Sequence, residues 1–103
     1  LQRMDTVYKE RPVRFDGMRF GKNMLPSDFF RQNMFISFQE DALGIELRHH
    51  VGVETLVWGS DYPHAESTFP KSREIVDEIL KGIPEAEKKL IAGENCARLY
   101  HIE

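Results

Sequence analysis

The sequence predicts an α/β fold of two parallel strands and several helices, and three observations carry that expectation. Two short apolar runs rich in β-formers stand about twenty residues apart, Met34-Phe35-Ile36-Ser37-Phe38 and Thr55-Leu56-Val57-Trp58-Gly59. The second run has no polar alternation, the pattern of a strand covered on both faces, as parallel strands usually are. Between them, residues 41–50 have helical spacing, and beyond them Val76, Ile79, Leu80 and Ile83 repeat at i, i+3, i+4 and i+7.

Taken in order, residues 1–10 have weak helical character that stops before Arg11-Pro12. Residues 11–26 are punctuated by Gly17, Gly21, Asn23 and Pro26 and predict no regular element. A structureless stretch of that length is unusual in a small domain and suggests surroundings beyond this chain. Ser27-Asp28 starts a short helix from Phe29 to Gln32. In the 41–50 helix, Leu43, Leu47 and His50 share one stripe and Gly52 follows the end. Strand, helix and strand then form a βαβ unit over residues 34–61, with a right-handed crossover.

Residues 69–101 are expected to be helical. Pro70 suits a first turn, and Gly82 stops that helix. Pro84 opens the next, with Glu85 and Glu87 early and Lys88 and Lys89 late, matching the helix dipole. Gly93 is expected to close it, and Asn95 to cap a last helix that buries Leu99 and Tyr100. Residues 1–103 are taken as a single partial domain.

Composition excludes several classes. Of 103 residues, 41% are hydrophobic and 30% charged, ordinary values for a soluble globular protein. The net charge is −3, with 17 acidic and 14 basic residues interspersed, so neither nucleic acid nor an anionic membrane is an expected partner. No apolar run approaches the roughly 20 residues of a membrane helix, and the N-terminus has no signal-peptide core. Cys96 is the single cysteine and cannot form an internal disulfide, which fits a reducing, cytoplasmic setting. The chain opens on Leu1 rather than Met, consistent with a cut from something longer.

Chemistry concentrates in Trp58-Gly59-Ser60-Asp61-Tyr62-Pro63-His64. A buried strand runs out at Gly59, and a carboxylate and an imidazole follow within five residues. In barrels and open α/β sheets the loops after strand C-termini build the active site. An Asp there can bind a metal or take a proton from metal-bound water. The competing reading is ordinary turn chemistry, with Asp61 capping its own loop or the next helix. His64 and Glu66 are close enough in sequence to share the rim.

The segment from Val57 through Glu66, followed by Phe69-Pro70 and Ser72-Arg73-Glu74, resembles the strand-8 region of the amidohydrolase-2 family. That family includes metal-dependent hydrolases and aminocarboxymuconate-semialdehyde-decarboxylase-like enzymes. Upstream, Leu25-Pro26-Ser27-Asp28-Phe29-Phe30 and Phe35-Ile36-Ser37-Phe38-Gln39-Glu40-Asp41 are similar to the approach to strand 7 and to that strand. Downstream, Gly93-Glu94-Asn95-Cys96-Ala97-Arg98-Leu99-Tyr100 is similar to the family's closing segment, so the resemblance spans residues 22–101.

The resemblance implies the C-terminal portion of a TIM-type (β/α)8 barrel. Its parent enzyme would use a divalent metal, zinc or manganese, to hydrolyse or decarboxylate a small organic substrate. It makes Asp61 the catalytic aspartate that touches the metal or its water, with His64 and Glu66 near substrate or around the site. The family's His-x-His pair has no counterpart: the histidines are His49, His50, His64 and His101. Zinc catalysis takes about three protein ligands and a barrel about 250 residues. This chain alone is therefore expected to hold no metal and to be inactive. The alternative is a truncated, non-catalytic relative that self-associates or binds through uncovered strand edges.

Other polar and aromatic residues have structural readings. His49 and His50 sit where cations complement a helix end, and His101 is a tail residue. Cys96 is a small buried residue rather than a nucleophile. Trp58 is core, Arg98 forms an ion pair or caps carbonyls, and Phe29, Phe30, Phe35 and Phe38 pack. Residues 15–20 would cover a site in the parent protein.

Overall fold

A computed structural model describes residues 1–11, 20, 21 and 23–102. The expected cover formed by residues 15–20 lies largely outside the described residues. The chain divides into two compact units, Leu1–Met34 and Phe35–Glu103.

The first unit holds α1 (Gln2–Glu10) and α2 (Pro26–Asn33). Helix α2 starts one residue before the Ser27-Asp28 signal, because Pro26 occupies the first turn. The Asp28 carboxylate at the third helical position accepts the Leu25 N–H at 2.9 Å. The two helices are joined through Asp5, whose Oδ1 accepts the Ser27 N–H at 2.9 Å. The Ser27 hydroxyl and amide together hold the Asp5 carboxyl below the usual carboxylate range. Tyr8 is buried, and Phe20 stacks between it and Phe29, at ring separations of 5.4 and 4.2 Å.

The second unit is the expected α/β arrangement. Strand β1 (Ile36–Phe38) pairs in parallel with β2 (Leu56–Trp58), in the register Ile36 with Leu56, Ser37 with Val57 and Phe38 with Trp58. Side chains alternate across a strand. Ile36, Phe38, Leu56 and Trp58 accordingly face a helical layer, packing on a core centred on Ile45, Leu56, Leu80 and Ile91. Ser37 and Val57 occupy the opposite face.

The crossover differs from the single helix expected at 41–50. It consists of α3 (Ala42–Glu46) and α4 (Arg48–Val51), which change direction at Leu47. The Asp41 side chain caps α3 by accepting the Gly44 N–H at 2.7 Å. A Leu43/Leu47/His50 stripe needs one continuous helix. With the break at Leu47, Ile45 turns inward at 4% exposure while Leu43 and Leu47 are 63% and 47% exposed. Arg48 on α4 pairs with Glu87 on α6 (Glu85–Lys89), and this contact is largely buried.

Gly52 ends α4 as expected, at φ +105°, where an L side chain is strained. A Cβ there would also stand 2.7 Å from the flexible end of Glu54. Gly52→Ala is expected to lower stability by about 1–3 kcal/mol, mostly from backbone strain. Urea unfolding of the purified variant beside wild type measures it.

After β2 come α5 (Ser72–Ile79), α6 and α7 (Asn95–Tyr100). Helix α5 begins at Ser72 rather than at Pro70, with the Thr68 and Ser72 hydroxyls paired at 2.9 Å at its start. Its apolar stripe falls as predicted: Leu80 is buried, and Val76, Ile79 and Ile83 pack around it. Gly93 does not close α6. It keeps a negative φ inside a π-helical turn, Leu90–Glu94, that runs straight into α7. Glycine stops a helix by turning left-handed, and here that step falls to His101 at φ +54°.

The π turn brings Ile91 and Asn95, both fully buried, against the sheet. Asn95 caps nothing; its Nδ2 donates to the carbonyls of Val53 and Leu56, each at 2.8 Å. Leu99 and Tyr100 are exposed rather than buried. Arg98 donates to the Glu54 carbonyl, one of its two expected roles, and its guanidinium lies 5.6 Å over the Phe35 ring. Among the described residues, no helix is long and apolar enough to cross a membrane.

Candidate active site

At the C-terminal ends of both strands an open cleft of about 650 Å3 is lined by residues that include Ser37, Gln39, Gly59 and Asp61. A larger cleft, about 740 Å3, lies on the helical side against Trp58. Four of its five charged lining side chains pair with one another, Arg73 with Asp77 and Lys88 with Glu85, and Lys89 is the fifth. Chemistry rather than size therefore points to the strand-end cleft.

Asp61 sits three residues beyond β2 with φ +58°. Left-handed backbone costs a non-glycine residue about 1 kcal/mol or more, least for Asp and Asn. The loop after it closes through main-chain groups. His64 N–H donates to the Asp61 carbonyl at 2.8 Å, Ser67 N–H to the His64 carbonyl at 3.1 Å, and Thr68 N–H to the Ser60 carbonyl at 3.0 Å. Ser60 Oγ accepts the Tyr62 N–H at 3.3 Å.

The Asp61 carboxylate takes no part in that capping. Among the described residues no backbone N–H donates to it. It receives instead the Gln39 side chain, Nε2 to Oδ2 at 3.1 Å, from the end of the neighbouring strand. Asp61 serves its loop through its carbonyl and Ser60 through its hydroxyl, which leaves the Asp61 carboxylate outside the turn chemistry.

His64 joins Asp61 at the rim, with Nδ1 3.5 Å from Oδ2, longer than a hydrogen bond. Nδ1 also faces the Glu66 N–H at 3.4 Å. Both side chains of the Asp61–His64 pair are more than half exposed. Glu66 is exposed, and among the described residues its carboxylate has no partner in the cleft. Asp61 and His64 are thus brought together, and Glu66 adjoins them through its backbone only.

Gln39 is the residue that sequence reasoning missed. Its side chain holds Asp61, and its carbonyl accepts the Trp58 indole N–H at 3.0 Å. The available signal was positional: Gln39 directly follows the first apolar run, level with Gly59 at the end of the second. Trp58 is accordingly more than core, because its polar edge ties the two strand ends together. Elsewhere, His49 lies 3.7 Å from Glu87 beside the Arg48 pair.

A catalytic metal site needs about three protein ligands. Among the described residues no three His, Cys, Asp or Glu side chains gather. Asp61 and His64 supply two donors of the right type and do not complete such a site.

The protein-family model described as amidohydrolase matches residues 41–102, taking in β2, the Asp61 loop and every helix that follows. A search of curated proteins finds no match. Strand β1 and Gln39 lie upstream of the matched residues.

Proposed function

Because the chain belongs to the amidohydrolase family, whose enzymes are metal-dependent and hydrolase-like, we propose that it contributes Asp61 to the hydrolysis of a small organic substrate. The observation that carries this reading is the Asp61 carboxylate. It is displayed beyond the C-terminal end of a parallel strand, on a left-handed backbone, and among the described residues it accepts no backbone N–H of its own loop but the Gln39 side chain from the neighbouring strand end. Barrel enzymes place catalytic groups at that end.

Asp61 takes a proton as bond cleavage proceeds, a role open to a cleft-facing carboxylate. His64, beside it, and Glu66, next along the rim, contact substrate. The family generally binds divalent metals. Zinc is the first candidate and manganese the second, with Asp61 the described residue that would contribute a ligand. The described donors do not complete that site, so no step here is routed through the cation.

The resemblance of the Val57 to Glu66 segment to a family that includes decarboxylase-like enzymes supports a second reaction with the same carboxylate, non-oxidative loss of carbon dioxide from the substrate. The test is turnover of 4-nitrophenyl acetate and of a hydroxybenzoate by purified protein supplied with zinc or manganese, and such turnover would also overturn the expectation that this chain alone is inactive. Asp61→Asn is expected to lower kcat by about 10²- to 10³-fold without changing the circular dichroism spectrum. Asn tolerates the left-handed backbone as Asp does, so a folded variant that keeps full rate would sink the assignment.

A further inference from the structure

We infer that Gln39 is a positioning residue for Asp61, part of a three-membered chain in which Trp58 fixes Gln39 and Gln39 fixes the carboxylate. The inference rests on the proposed role of Asp61 and adds to it the group that aims it.

The geometry is specific. Asp61 is the exposed end of a left-handed turn, and among the described residues no backbone amide holds its carboxylate. Left alone, such a side chain would sample several staggered rotamers. Gln39 Nε2 reaches it at 3.1 Å from the other strand, and a donor to a charged acceptor makes one of the stronger hydrogen bonds.

Gln39 is itself restrained, since it is half-buried and lies just past the last ladder bond, Gly59 N–H to Phe38 carbonyl at 3.0 Å. Its own carbonyl accepts the Trp58 indole at 3.0 Å. Trp58 in turn packs on the core. The path from core to carboxylate therefore runs through one indole and one carboxamide. Glutamine suits this place because its NH2 donates to a carboxylate; glutamate there would set two negative charges together.

Two readouts on the full chain test this, one of them independent of any substrate. Three-bond NMR couplings across the Asp61 Cα–Cβ bond report its rotamer directly. Wild type is expected to show one rotamer, and Gln39→Met averaged values with an unshifted Trp58 indole resonance, since that bond uses only the Gln39 main chain. With 4-nitrophenyl acetate and added zinc, Gln39→Met is expected to lower kcat about tenfold with KM within about twofold. In an Asp61→Asn background the same substitution is expected to cost nothing further.

Unchanged Asp61 couplings, or an equal rate loss in the Asp61→Asn background, overturn the inference. Full activity of Asp61→Asn by itself overturns the proposed function instead. The couplings still decide whether Gln39 holds the carboxylate, so the two failures are distinguishable.

Discussion

Asn95→Asp is expected to destabilise the second unit by about 3–5 kcal/mol at neutral pH, the cost of an uncompensated buried charge. Asn95 is fully buried, and its Nδ2 donates to the Val53 and Leu56 carbonyls at 2.8 Å each. Aspartate puts an oxygen where two carbonyl oxygens already converge. Its other oxygen inherits the place of Asn95 Oδ1, which has no hydrogen-bond partner among the described residues. Asn95→Leu keeps the branched shape at a larger volume and introduces no charge, leaving the Val53 and Leu56 carbonyls without this donor. It is expected to cost about 2–3 kcal/mol.

The pair separates charge from hydrogen bonding, and urea unfolding of both variants at matched pH measures the difference. A buried carboxyl has its protonation favoured in the folded state. The aspartate variant should therefore regain stability relative to wild type as pH falls, because the unfolded chain binds that proton less readily than the folded one. The leucine variant should show no such trend.

Ile91→Ala should be nearly as costly, about 3–5 kcal/mol, because transfer and cavity terms add where the surroundings cannot collapse. Ile91 has 0% exposure and sits in the core with Ile45, Leu56 and Leu80, contributed by α3, β2 and the turn after α5. Ile91 belongs to the π turn itself, whose continuity with α7 limits relaxation into the hole. Leu43→Ala serves as the comparison. Leu43 is 63% exposed, and its truncation is expected to stay within about 0.5 kcal/mol. Thermal and urea unfolding of the two variants, side by side, check the contrast.

Those two residues also mark where sequence reasoning stopped. β2 was legible because an unalternated apolar run followed by Gly and Asp has few interpretations. The position of Asp61 was legible for the same reason: a carboxylate just past a buried strand is placed at the strand end by topology. The stripe of α5 was legible from its period alone.

What local pattern could not supply was phase and partnership. The 41–50 segment offers both Leu43/Leu47 and Ile45 as inward residues, and the choice is made by a break at Leu47 that no proline or glycine announces. Gly93 carries the usual stop signal, yet packing of Ile91 and Asn95 under β2 keeps the backbone helical there. Asn95 resembled a cap because local rules see only the four amides that follow it, whereas its partners lie about forty residues upstream. Gln39 was missed on the same ground, since its meeting with Asp61 exists only in the parallel register.

The anchoring of β2 by α7 also has a temporal side. The groups that satisfy the Val53, Glu54 and Leu56 carbonyls stand 42, 44 and 39 positions later in the chain. A ribosome adding roughly 5–20 residues per second needs about 2–8 seconds to cover that interval. Throughout it the Val53, Glu54 and Leu56 carbonyls are left to water, because the donors that meet them in the fold have not yet been made. The strand that displays the carboxylate is thus synthesised well before the helix that locks it. Codon choice or chaperone occupancy across residues 59–95 would bear on the yield of native protein more than the same change before β2.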